Sequence, residues 1–134
     1  MKSICLIDDD PIFVYLTRRI IASIDCPCSI SEFTDGELAL SHLSAVSENS
    51  DLLPDVIFLD LSMPVMDGWE FLNEYSQLKP KLKKDIALFI VSSSISPQEV
   101  ERSKNYHSVT DFLIKPVEKG KIVEIMHNVK ESAE

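Results

Sequence analysis

Cations are scarce in this 134-residue chain: 13 Lys and Arg stand against 22 Asp and Glu, for a formal net charge of −9. Nucleic-acid binding relies on clustered Lys and Arg that displace counterions from phosphates, so no direct nucleic-acid partner is expected. Long apolar runs are missing as well. The longest, "IALFIV" (residues 86–91), falls far short of the roughly 18 residues that span a bilayer, and the N-terminus has no signal-peptide core. A soluble, cytoplasmic protein without a membrane partner is therefore expected.

Cysteine is sparse. Cys5, Cys26 and Cys28 make neither a disulfide framework nor a CxxC pair, Pro27 stiffens the gap between the last two, and each reads as a small buried hydrophobe. His42, His107 and His127 are scattered, with no partner at metal-ligand spacing, which favours structural roles. There is no internal repeat and no linker, and the length suits one hydrophobic core. A single domain over residues 1–134 with no effector domain is the expectation, with 45% apolar and 26% charged residues in the ordinary globular range. Only the terminal "KESAE" reads as a fraying end.

What is present is an alternation of short apolar runs and longer amphipathic stretches. "ICLI", "SISEF", "VIFL", "ALFIV" and "FLI" predict five strands. Helices are predicted from Pro11 to about Ile24, with Phe13, Leu16 and Ile20 on one face, and over Gly36–Val46, Trp69–Gln77 and Pro97 to about Asn105. A last helix carries Ile122, Ile125, Met126 and Val129 at helical spacing. The order is βα repeated five times. "VIFL" and "ALFIV" lack polar alternation, as strands of a parallel sheet covered on both faces do. "SAVSENSDLLP" reads as a long polar loop before the third strand, and "KPKLKK" as a basic, exposed connection before the fourth.

The segment "ICLIDDDP" (residues 4–11) ends an apolar run in three aspartates. Two carboxylates about 4 Å apart repel by about 4 kcal/mol at an effective dielectric near 20, so the cluster is costly unless solvated or relieved by a cation. Asp8 and Asp9 follow the first predicted strand, Asp60 the third, Ser92 the fourth and Lys115 the fifth. In an open parallel sheet these carboxyl ends share one rim, where ligands bind. Three hard oxygen donors suit Mg²⁺, and a lysine and a hydroxyl could hold phosphoryl oxygens around Asp60, a nucleophile that is ionised without a base. Asp10 reads as the N-cap of the helix that opens at Pro11.

"LIDDDP", "FLDLSMPVMDGWE", "VSSS" and "FLIKP" in this order resemble the response-regulator receiver domain of two-component signalling, and the likeness covers almost the whole chain. The resemblance implies a doubly wound, flavodoxin-like (βα)5 α/β sandwich with a five-stranded parallel sheet of order 2-1-3-4-5. It implies that Asp60 is phosphorylated by a histidine kinase or histidine phosphotransfer protein. Asp9 would bind Mg²⁺ directly, Asp8 mostly through water, and the backbone carbonyl of Ser62 would complete the metal site. Ser92 and Phe112 would be the switch pair, Lys115 would pair with phosphoryl oxygens, and the Lys115–Pro116 peptide would be cis. Met63, Pro64 and Gly68 match the loop after the acceptor, Gly68 as a residue permitting unusual backbone angles. An unidentified downstream protein would read the state through the face of the fourth helix, fifth strand and fifth helix, with the chain a monomer or a weak, phosphorylation-dependent dimer.

The chain departs from that pattern in places. The usual Gly-Ala before the fifth strand is replaced by "YHSVTDF", and the loop before the third strand is longer. Ser62 and Ser94 fall where the family varies residues that tune acyl-phosphate hydrolysis; Ser93 is acceptably small. Three other readings compete: a pseudo-receiver that only binds partners, a small Mg-dependent phosphohydrolase, and a flavodoxin-type electron carrier. A hydrolase similar to the haloacid dehalogenase type would need a second aspartate two residues after Asp60, where Ser62 stands. Three acids after the first strand would repel a flavin phosphate.

Overall fold

Strand β3, Val56–Leu59, has no exposed side chain and takes the centre of a five-stranded parallel sheet. Around it in the computed structural model, which describes residues 2–94 and 96–129, lie β1 (Lys2–Ile7), β2 (Cys28–Phe33), β4 (Ala87–Ser92) and β5 (Val109–Ile114). The order is β2-β1-β3-β4-β5, as the resemblance implied. The intervening helices are α1 (Pro11–Ala22), α2 (Gly36–Ala45), α3 (Gly68–Leu78), α4 (Pro97–Ser103) and α5 (Lys119–Asn128), with one 3-10 turn at Lys79–Lys81. None of the described helices is long and apolar enough to cross a membrane. The terminal "KESAE" lies outside the described residues.

Strand side chains alternate between faces, and the core divides accordingly. Ile4, Leu6, Phe58 and Phe89 join Phe13, Ile21, Ile122 and Ile125 beneath α1 and α5. Cys5, Ile7, Ile57 and Ile90 join Leu43, Phe71 and Tyr75 beneath α2 and α3. Burying one such Leu, Ile or Phe side chain contributes about 1.5–3 kcal/mol, so both layers are held firmly against the sheet. Polar caps fix where the helices start. The side chains of Asp10, Asp35 and Ser96 accept backbone N–H groups of α1, α2 and α4, and Asp67 and Glu70 form a reciprocal capping box on α3.

Several expectations are corrected. The buried face of α1 is Phe13, Val14, Thr17 and Ile21, whereas Leu16 is exposed and Ile20 half-buried. Thr17 turns inward where Leu16 was expected to, so the buried stripe runs through 13, 14, 17 and 21 instead of 13, 16 and 20. The connection before β4 is not wholly exposed: Lys84 is half-buried, its side chain only 8% exposed and paired with Asp55 at 2.8 Å. The polar loop before β3 likewise buries Leu53 and Asp55. Gly68 has no positive φ. Its reason is proximity, since a Cβ there would stand 2.6 Å from the Asp60 carbonyl oxygen and 2.7 Å from Leu61 Cα. The left-handed residue of this loop is Val65, with φ 66°. Finally, Cys5 is buried as expected, but Cys26 and Cys28 are only half-buried.

Candidate functional site

The strand order reverses between β1 and β3, and the crevice beyond their carboxyl ends is where open α/β sheets bind ligands. Backbone hydrogen bonds continue past the strand ends and set the rim. Asp8 N–H donates to Phe33 O (2.9 Å), Asp60 N–H to Ile7 O (2.9 Å), and Lys115 N–H to Ser92 O (2.8 Å). These bonds bring together the pocket residues expected from the sequence, although they come from four different strands.

The carboxylate oxygens of Asp8, Asp9 and Asp60 lie within 4.8 Å of one another. Asp8 and Asp60 are buried and Asp9 is exposed, which leaves a solvent approach to the cluster. Asp8 Oδ1 accepts the Asp10 N–H at 2.9 Å, so one oxygen is held by the backbone and Oδ2 faces Lys115 Nζ at 2.8 Å. Lys115 Nζ is also 3.7 Å from Asp60 Oδ1. Asp10 points away from the cluster and caps α1, its Oδ1 accepting from Ile12 N–H (3.0 Å) and Phe13 N–H (3.3 Å). The three aspartates are thus divided, two in the carboxylate cluster and one on the helix.

Burial pushes the Asp60 carboxyl up to about 6, and the charge of Asp8 adds to the effect, while Lys115 and the Ser62 N–H oppose it. One lysine does not balance three acids. The donor set suits a hard divalent cation, because it offers carboxylate oxygens only, one of them reachable from solvent.

Ser92 is buried at the end of β4, and its Oγ accepts the Ser94 N–H at 3.1 Å. Phe112 pairs in register with Ile90, and its half-buried ring packs against the cluster beneath α2 and α3. The Lys115–Pro116 peptide is cis. Ser62 is exposed, with its N–H on Asp60. Met63 is half-buried against the core and Pro64 is exposed.

Sequence reasoning treated Phe13 as core alone, but Lys115 Nζ lies 4.5 Å from its ring centroid, so the ring forms a wall of the pocket. It also missed a stack that joins α4 to α3. Arg102 Cζ lies 4.3 Å from the Trp69 ring, Trp69 and Tyr106 have centroids 5.8 Å apart, and Tyr106 OH donates to Asn73 Oδ1 at 3.1 Å. No spacing signal links residue 69 to residues 102 and 106, because the contact exists only once β4 and β5 are paired.

Comparison with known proteins agrees with this geometry. A sequence model described as "Response regulator receiver domain" matches residues 4–127. The chain is 28% identical over 117 residues to the two-component response regulator ORR1 of Oryza sativa subsp. japonica, covering 86% of this chain and 49% of that protein. It thus spans about half the length of that relative. Among solved structures, a two-component response regulator from Cytophaga hutchinsonii superposes with a TM-score of 0.85 at 25% identity, covering 95% of each chain. The Mn²⁺-bound form of response regulator Rcp1 superposes at 0.74 with 26% identity, covering 93% of this chain and 88% of the other.

Proposed function

Because the chain belongs to the response regulator receiver domain family, we propose that it accepts a phosphoryl group on Asp60 from a histidine kinase or histidine phosphotransfer protein and that this switches its contacts with a downstream protein. The observation that carries this reading is the convergence of three carboxylates within 4.8 Å of one another, with Lys115 Nζ 3.7 Å from Asp60.

In the proposed reaction an Asp60 carboxylate oxygen attacks phosphorus in line, the P–N bond to the donor imidazole breaks, and the nitrogen leaves with the electron pair. Asp60, Asp9, Asp8 through water, and the Ser62 carbonyl would hold Mg²⁺, which supplies charge neutralisation for the phosphoryl oxygens. The Mn²⁺-bound relative and the all-oxygen donor set support a divalent cation here. Lys115 is already fixed between Asp8 and Asp60 and neutralises a further phosphoryl oxygen without reorganising. The Ser92 hydroxyl accepts from Ser94 N–H and keeps its own proton to donate to a phosphoryl oxygen. Movement of Ser92 toward the new charge vacates space that the half-buried Phe112 ring takes up, biasing the face of α4, β5 and α5.

Intact mass after incubation with phosphoramidate or acetyl phosphate and Mg²⁺ tests this. A single labile, Mg²⁺-dependent phosphoryl adduct on the wild type, absent from Asp60→Asn, supports it. Absence of any adduct where another receiver is labelled refutes it, and continued phosphate release without an adduct assigns a hydrolase instead.

A further inference from the structure

The connection from α1 to β2 carries Cys26-Pro27-Cys28 at the amino end of the sheet, the pole opposite Asp60; Cys28 pairs in register with Lys2. The Cys26 N–H donates to Ile24 O at 2.8 Å and tightens the bend, and Pro27, with φ fixed by its ring, leads the chain into β2. The Cys28 thiol donates to the Cys26 carbonyl at 3.3 Å. Only Pro27 separates the two cysteines, and burial first, then the neighbouring Cys26, pushes the Cys28 thiol up to about 11. Both cysteines are half-buried and line an open groove of about 630 Å³. Arg18, Arg19 and Asp25 line the same groove. Arg18 is paired with Glu32, whereas Arg19 lies 5.8 Å from the Tyr15 ring centroid and donates to the Tyr15 hydroxyl at 3.2 Å.

We propose that Cys26 and Cys28 form a dithiol site that closes to an intrachain disulfide by exchange with an anionic small-molecule disulfide such as glutathione disulfide, whose carboxylates Arg19 receives. The Cys26 thiolate attacks one sulfur of glutathione disulfide, the S–S bond breaks, and one glutathione thiolate departs and takes a proton. Cys28 then gives up its proton, its sulfur attacks the Cys26 sulfur of the mixed disulfide, and the second glutathione leaves. Two electrons pass from the pair to the oxidant, and two protons end on two glutathione thiols. Cys28, whose thiol turns back onto the Cys26 carbonyl, is the resolving partner, and its place two residues away makes closure intramolecular. Cys5 takes no part, being 1% exposed on β1 with its thiol pushed up to about 12 by burial.

The test is intact mass and native alkylation of the reduced full chain exposed to glutathione disulfide. The wild type is expected to lose the mass of two hydrogen atoms and to protect Cys26 and Cys28 from alkylation, with no persistent adduct. Cys28→Ser is expected to stop at a stable glutathione adduct on Cys26, and Cys26→Ser to react at least tenfold more slowly. Arg19→Gln is expected to slow the reaction several-fold with glutathione disulfide and not with cationic cystamine. Circular dichroism on each variant separates misfolding from lost chemistry, and Cys28→Ala serves as a second blocked variant. A persistent adduct on the wild type, a disulfide between two chains, or full alkylation of both thiols after oxidant each overturns the proposal; equal slowing with both disulfides removes Arg19 from it.

Discussion

Lys115 Nζ is held on three sides, 2.8 Å from Asp8, 3.7 Å from Asp60 and 4.5 Å from the centroid of the Phe13 ring. The ring offers its negative face to the ammonium where water is largely excluded, an arrangement worth from about 0.5 to about 2 kcal/mol. Phe13→Leu keeps an apolar side chain and removes the π face. Phosphorylation by phosphoramidate is expected to slow by about 2- to 30-fold in this variant, the rate equivalent of that range, with Phe13→Trp restoring most of it. Equal rates in Phe13→Leu and wild type would reduce the ring to core packing.

The carboxylate cluster predicts an inverted stability profile for Asp60. Its carboxyl is raised from 3.8 to about 6 by burial and by Asp8, so the folded state binds this proton more tightly than the unfolded chain does. The stabilising contribution is full below the unfolded value and is lost as pH rises through about 6. With chelator present, Asp60→Asn is therefore expected to raise Tm at pH values above 7, with the gain shrinking as pH falls below about 5. Mg²⁺ is expected to raise the wild-type Tm above pH 7, and much less at low pH, where the proton competes for the same oxygen. Scanning fluorimetry across pH, with and without Mg²⁺, reads both effects.

The strands and the polar residues of the rim were legible in the sequence because each depends on a local pattern, an apolar run, a terminal acid or a Lys-Pro, whereas the sheet order was implied only by the resemblance to receiver domains. Asp8, Asp9, Asp60, Ser92 and Lys115 all end strands, and parallel pairing leaves them no other meeting place. What was illegible depends on tertiary contact. Nothing local distinguishes Thr17 from Leu16 as the inward residue of α1, Lys84 from its basic neighbours as the buried one, or Phe13 from any other core aromatic. Gly68 serves close approach and not a positive φ, and the sequence does not separate the two, since backbone freedom and lack of a side chain look alike there.

The Lys84–Asp55 pair is a case where removing one partner is expected to be severe. Asp55 accepts from Ser3 N–H at 2.8 Å and pairs with Lys84 at 2.8 Å, and Lys84 also donates to Leu53 O at 2.8 Å, so the two side chains tie β1, the loop before β3 and the entry to β4. Both are nearly inaccessible, and deleting one strands the other charge, at a cost of about 3–5 kcal/mol. Lys84→Ala and Asp55→Ala are expected to fall in that range by urea unfolding. Lys84→Met combined with Asp55→Leu is expected to lose less than either single change, because no charge remains buried.

Opposite backbone demands meet in the loop that follows Asp60. The Met66 N–H donates to Pro64 O at 2.7 Å across Val65, closing a γ-turn with φ 66° at a β-branched residue. That side chain is 74% exposed, so it contributes little burial to offset the strain. Left-handed geometry costs an L-residue about 1–2 kcal/mol, and glycine gives back about 0.5–1 kcal/mol in lost backbone freedom. Val65→Gly is therefore expected to stabilise the fold by up to about 1 kcal/mol, and Val65→Ala by less, because it retains a Cβ. Three residues on, Gly68→Ala is expected to do the reverse, although alanine favours helices and Gly68 opens α3. Its Cβ would meet the Asp60 carbonyl oxygen at 2.6 Å and Leu61 Cα at 2.7 Å, both backbone atoms with no rotamer to change. The backbone that carries Asp60 must then move, so Gly68→Ala should lower the urea midpoint and the proposed Asp60 phosphorylation rate together, whereas Val65→Gly should raise the midpoint. If Gly68→Ala matches wild type in both measurements, the close approach of α3 is not what places Asp60.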